Sequence, residues 1–271
     1  MRELLPYLML LVAVVVSWFG SPRVSLIALV VVTLDMLTSG YASPIGVGWI
    51  LIAGLLLLSV VRLGAWTYFA FGAVALGLML HLLPGFNNLK VLDHVHITPD
   101  AAPFSMYLNF DKTAVAVLLF GLFLRSEDLR RPRWGDLALV AITGVVLCLV
   151  MMPLALGVDY VGFALKTPDV VWAVNNLFFV CYAEEAFCRG FVQGGLARLK
   201  LPRGVPLLAG ALIFGLLHYT GGPLYVLLAT ICGLFYGFVY MRTGRISVPI
   251  LLHFGFNLVH FTFFTYPSLQ I

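Results

Sequence analysis

The sequence predicts an all-α protein, a polytopic bundle of eight to ten membrane-crossing helices, and three observations carry that prediction. The first is composition: of 271 residues, 62% are hydrophobic and only 10% are charged. A soluble domain carries about 25% charged residues, so this chain has too little polar surface to cover itself in water. The second is that apolar stretches of span length recur from end to end, where about 20 residues are needed to cross about 30 Å of hydrocarbon. The third is that short polar, glycine- or proline-bearing turns separate those stretches. One membrane domain, 1–271, is the natural organisation.

Taken in order, the apolar runs place helices at approximately 4–19, 24–38, 45–61, 65–84, 112–125, 136–156, 170–195, 205–220, 223–241 and 246–265. Arg2 and Glu3 precede the first run and no small-x-small cleavage site follows it, so it reads as a retained helix rather than a signal peptide. The first two runs are short enough to form one tilted hairpin, which sets the lower count. Thr167-Pro168-Asp169 reads as a cap, a first-turn proline and an early acid. Pro202-Arg203-Gly204 and Gly221-Gly222-Pro223 break the later helices.

Basic residues orient the bundle. Arg23, Arg62, Arg125, Arg130, Arg131, Arg133, Arg198, Lys200, Arg203, Arg242 and Arg245 fall in one set of loops. Arg2, Lys90, Lys112 and Lys166 fall in the other, a split of 11 against 4. The richer side is expected to be cytoplasmic, in a plasma membrane of bacterial or archaeal type. The net charge of +4 is small and carries no nucleic-acid footprint, so the expected surroundings are membrane lipids. Nothing in the sequence specifies an oligomeric state.

Cys148, Cys181, Cys188 and Cys232 all lie in apolar segments, which argues against a disulfide framework and for small buried hydrophobes. The longest loop, about 85–111, holds Asp93-His94-Val95-His96 and Asp100. Two alternate histidines without a clear third ligand read as a solvated loop rather than a metal site. Asp35 and His81 read as interface or cavity residues.

Ionisable groups inside a membrane cost roughly 2.5–3.5 kcal/mol each, yet three stretches near the C-terminus carry them. The first is Glu184-Glu185-Ala-Phe-Cys-Arg189. Glu185 and Arg189 are four apart with the acid N-terminal, the favoured order for a helical ion pair. Glu184 is rotated about 100° from Glu185, so it is expected to point elsewhere without a close cation, as a general base. The second stretch is Phe214-x-x-x-His218 and the third His253-x-x-x-Asn257, whose residues share a helix face. Counted from the flanking arginines, these groups fall in one broad layer. Gly190/Gly194 and Gly233/Gly237 form small-xxx-small pairs that suit close helix approach.

Together these stretches resemble the CAAX protease and bacteriocin-processing (Abi, CPBP) family, which includes the Ras-converting prenyl-protein endopeptidases. The resemblance covers roughly 136–265, so 1–125 would be additional N-terminal spans. It implies an intramembrane endopeptidase that hydrolyses a peptide bond without a covalent intermediate. Glu184, with His218, would activate water; His253 and Asn257 would donate hydrogen bonds to the oxyanion; Glu185, Arg189 and Phe214 would support them. The substrate class implied is a hydrophobic or lipidated peptide or protein. No cofactor and no metal are expected, because the spacing is not the zinc-binding H-E-x-x-H. Three other readings stand beside this one. The polar residues could be helix-helix glue, a proton relay in a transporter, or part of a non-catalytic membrane binding or immunity protein.

Overall fold

The computed structural model describes residues 3–199 and 201–270, apart from the side chains of residues 22 and 61–63. Arg2, Lys200 and the side chain of Arg62, used above for orientation, lie outside the described residues. Among the described residues, ten helices form within a few residues of the apolar runs: α1 Leu5–Phe19, α2 Pro22–Thr38, α3 Pro44–Leu63, α4 Ala65–Met79, α5 Phe110–Leu122, α6 Trp134–Gly157, α7 over 170–197, α8 Gly204–Leu216, α9 Gly222–Thr243 and α10 Ser247–Phe263. The agreement has a local cause. Each run is long and apolar enough to favour intrasegment hydrogen bonding, and proline or glycine stands at most of the breaks. By length and composition alone, two helical stretches suffice to cross a membrane, Trp134–Gly157 and Tyr219–Thr243; five others are shorter and apolar.

One cap differs from its expected form. Asp169 is itself the N-cap of α7, accepting hydrogen bonds from the backbone N–H groups of Val171 (2.8 Å) and Trp172 (3.1 Å). A carboxylate that satisfies two orphan donors fixes the start at Val170, after the proline.

The expectation of a purely helical chain needs one correction. Within the loop 85–111 lies an antiparallel hairpin, β1 (Leu89–Val95) and β2 (Phe104–Leu108), paired Leu89 with Leu108 and Val95 with Phe104. Alternating side chains explain it: Met106 and Leu108 are buried while Tyr107 between them is exposed. His94 sits beside Asp93 (2.5 Å), and His96 Nδ1 donates to the carbonyl of Ala101 (2.7 Å). The two histidines are thus separately engaged in the hairpin and the turn after it. The C-terminal residues join the same end through bridges from Ala101 to Leu269 and from Phe163 to Phe264.

Around α5, α7 and α10 the core is continuous: residues 110–120 are all buried, as are 181–191. The periphery is the reverse. Large apolar side chains stand exposed on many helices, among them Val12, Ile27, Leu55, Phe69, Ile142 and Leu149. The cysteines are free, with Cys181, Cys188 and Cys232 buried and Cys148 half-buried.

Glycines set the tightest crossings. A Cβ on Gly233 would stand 3.0 Å from Ala211 Cα, and one on Gly237 would stand 2.5 Å from Leu207 Cδ1, so α9 meets α8 nearly backbone to backbone. A Cβ on Gly190 or Gly194 would meet Leu124 at 2.7 Å or the Tyr240 hydroxyl at 2.9 Å. Both glycine pairs therefore act in packing.

Candidate active site

The site is built on α7, whose winding changes around it. The turns Val170–Asn175, Tyr182–Glu185 and Gly194–Ala197 are α-helical, and the segments between them, Asn176–Cys181 and Ala186–Gln193, are π-helical. A π segment closes i→i+5 hydrogen bonds and is frequent at functional sites. The widened turns flank the four residues that carry both glutamates.

Glu185 and Arg189 are each fully buried and form the expected i,i+4 ion pair, with Arg189 Nε 3.1 Å from Glu185 Oε2. The guanidinium is further held by donation from Nη2 to the carbonyl of Gly233 (2.9 Å). It also lies over the rings of Phe214 (4.7 Å) and Tyr236 (5.5 Å). Glu185 has a second partner that the sequence did not indicate: its Oε1 accepts from His253 Nδ1 at 2.9 Å. Stacking on Tyr236 (centroids 4.6 Å apart, 19° between planes) and an edge contact with Phe214 fix the His253 ring. The supporting residues thus form one unit that orients His253.

Glu184 points elsewhere, as its rotation requires, but the expectation that it lacks a cation is wrong. Lys112, near the start of α5, places Nζ 3.4 Å from Glu184 Oε1. Counted above as a loop charge, Lys112 is in fact 7% exposed and turned inward. A lysine at the polar end of an apolar helix ordinarily snorkels outward; docking of α5 against α7 offers it a carboxylate instead. The other oxygen, Oε2, is buried without a hydrogen-bond partner and faces His218 Nε2 at 4.0 Å.

His218 follows α8 directly. Its Nδ1 donates to the carbonyl of Phe214 (2.8 Å). That bond assigns the proton of a neutral ring to Nδ1 and leaves Nε2 as an acceptor toward Glu184. Phe214 therefore serves three groups: its ring lies under Arg189 and against both histidines, and its carbonyl sets the His218 tautomer.

Asn257 Nδ2 donates to Asn176 Oδ1 (3.2 Å), and Cys181 Sγ donates to the same oxygen (3.3 Å). Sequence reading missed Asn176, although an asparagine in an apolar helix is itself a signal. Among the described residues, no group of three or more His, Cys, Asp or Glu is arranged to hold a metal ion.

His218, His253 and Asn257 all line a cavity of about 70 Å³, walled by Met152, Phe256 and Tyr236 among others. A water needs roughly 10–15 Å³ measured this way, so the cavity has room for several. The structure thus brings all seven residues singled out from the sequence together and adds Lys112, with Phe214, His218, His253 and Asn257 lining the cavity.

Asp35 and His81 lie away from it. Asp35 is half-buried with Oδ2 unpaired, and His81 is tied to Asp111 at 2.6 Å.

No curated protein and no solved structure matches the chain. A protein-family model does match, and its range contains Glu184, Glu185, Arg189, Phe214, His218, His253 and Asn257: over residues 166–259 this chain is similar to the family described as Rce1-like, type II CAAX prenyl endopeptidase Rce1-like.

Proposed function

We propose that the protein is a glutamate-dependent intramembrane endopeptidase that hydrolyses a peptide bond in a hydrophobic or lipidated substrate. The single observation that carries this reading is the facing pair Glu184 Oε2 and His218 Nε2, 4.0 Å apart, both free to accept a proton. One water oxygen can lie within hydrogen-bond distance of both atoms. Glu184 takes a proton from that water as it attacks the scissile carbonyl, with His218 orienting it through its second hydrogen. The proton then passes to the leaving amine.

The oxyanion formed on attack is met by Asn257 and His253, which line the same cavity. Asn257 Nδ2 turns from Asn176 to the oxyanion. Because His253 Nδ1 is committed to Glu185, Nε2 is the ring nitrogen left to face the oxyanion. Preorganised donors of this kind are worth roughly 3–4 kcal/mol each.

A metal-free reaction is favoured by Lys112, whose ammonium already stands beside Glu184 where a bound cation would compete with it. The exposed apolar side chains on the periphery suit contact with lipid. Ten helices among the described residues support the reading of a multi-pass protein with its arginine-rich loops cytoplasmic. In that arrangement 136–265 supplies the catalytic core, and 1–125 forms the spans against which it packs.

The test is cleavage of quenched-fluorescent peptides, farnesylated and unmodified, by purified wild type and Glu184→Gln. Cleavage by wild type alone supports the reading. Equal cleavage by both rejects it. A second reading, a membrane binding protein without catalysis, is distinguished by saturable peptide binding in the absence of any cleavage.

A further inference from the structure

The matched family segment begins at residue 166, yet one charge at the site comes from far outside it. We propose that Lys112, on α5, is a positioning residue for the catalytic base: it holds Glu184 Oε1 so that Oε2 is presented to water and His218. The inference rests on the assignment of Glu184 as that base.

Four observations lead to it. Nζ of Lys112 is 3.4 Å from Oε1 and the two side chains are about equally buried. Burying an ammonium is costly unless it is paired, so the inward conformation depends on Glu184, and Glu184 on it. The two carboxylate oxygens are divided, one engaged by Lys112 and the other without a hydrogen-bond partner beside His218.

The fourth is that the first turn of α5 is locked in place. Asn88 accepts from the backbone N–H of Phe110 (2.8 Å) and donates to Asp111 Oδ1 (3.0 Å). The same Oδ1 accepts from the backbone N–H of Lys112 (2.9 Å), while Asp111 Oδ2 meets His81 Nδ1 at 2.6 Å. His81 adopts φ +57°, a left-handed conformation uncommon for its type. These bonds tie the end of α4 and the segment before β1 to the residue just ahead of Lys112. The N-terminal half of the chain thus delivers a cation to the active site.

The charged and titratable groups around Glu184 are Lys112 on α5, Cys181, Glu185, Cys188 and Arg189 on α7, His218 after α8, Tyr225 on α9, His253 on α10 and Tyr266 beyond it. Of the permanent cations, Arg189 is paired to Glu185, which leaves Lys112 to favour the ionised carboxylate.

The experiment uses the full-length protein in detergent with the farnesylated quenched-fluorescent peptide. For Lys112→Met the expected result is a fall of kcat by about 10-fold or more with KM little changed. Lys112→Arg, which keeps the charge, restores most of the rate. A kcat unchanged in Lys112→Met, while Glu184→Gln is inactive, overturns the proposal and leaves the base assignment standing. An active Glu184→Gln overturns both.

Stability gives an independent arm. Lys112→Met alone lowers the melting temperature, whereas in a Glu184→Gln background, where no carboxylate is stranded, the same change costs less. Additive effects of the two substitutions contradict the pairing. If Lys112→Met does not accumulate, Lys112→Gln, which keeps a hydrogen-bond donor without the charge, is read by the same criteria.

Discussion

Glu184 Oε2 faces His218 Nε2 at 4.0 Å, too far for a direct hydrogen bond and close enough for both atoms to touch one water. The neighbouring carboxylate, Glu185, is by contrast ion-paired to Arg189 through Oε2 and hydrogen-bonded to His253 through Oε1. Two adjacent residues of one type thus have opposite tasks, and the difference is set by which helix each one meets.

Glu184→Gln keeps the size of the side chain and a hydrogen-bond acceptor for Lys112, so the helices stay docked. An amide cannot take a proton from water. Cleavage should fall by roughly 10³-fold or more in a protein that still folds and inserts, with a melting temperature lowered only by the lost counter-charge of Lys112. Retained turnover would reject the assignment.

Arg189→Ala leaves Glu185 in a site with no solvent exposure and removes the group that bridges it to Gly233. Breaking a buried pair on one side costs about 3–5 kcal/mol. A clear drop in melting temperature is therefore expected together with lost activity, because His253 loses its anchor. A variant as stable as wild type would count against the ion pair.

Asn257→Ala removes one oxyanion donor and its bond to Asn176. The expected effect is a fall in kcat of roughly 10²–10³-fold with KM nearly constant, since the donor acts on the transition state. A change confined to KM would place Asn257 in substrate binding instead.

Gly215→Ala tests how the site is positioned. The added Cβ would stand 1.9 Å from Thr230 Oγ1 and 2.8 Å from the carbonyl of Val226. It should push α8 off α9 and displace His218, three residues on, lowering stability and rate together. Thr230→Ala in the same protein removes the nearer clash, though not the carbonyl, so partial recovery is expected. No recovery would show that the backbone contact dominates.

Chelator treatment should leave the rate unchanged, because in the proposed chemistry water is activated by Glu184 and His218 and the oxyanion is met by His253 and Asn257. Loss of activity with chelator, restored by one divalent metal and not by others, would replace this mechanism with a metal-dependent one.

By itself, the sequence determined the helices and marked most of the candidate site residues, though not Lys112 or Asn176. Helix positions followed from runs of apolar residues ended by proline and glycine, and such signals act over a few neighbours in the chain. Glu184, Glu185, Arg189, His218, His253 and Asn257 stood out because ionisable and amide groups are costly in apolar segments and are kept only where they are used. The Glu185–Arg189 pair was legible because both ends lie on one helix, four residues apart.

What only the tertiary structure decided is how those groups are shared. Lys112 meets Glu184 across 72 residues of sequence, and His253 meets Glu185 across 68. No local pattern encodes these distances; they arise when α5 and α10 dock on α7. The π-helical turns beside the glutamates left no trace in the apolar pattern either, because packing against neighbouring helices selects between i→i+4 and i→i+5 hydrogen bonds. The hairpin at 89–108 was hidden for the same reason, since its pairing depends on a partner strand and a covered face rather than on composition. Side-chain identity marks which groups are costly to bury, and helix docking decides which of them neutralise one another and which oxygen remains free to react.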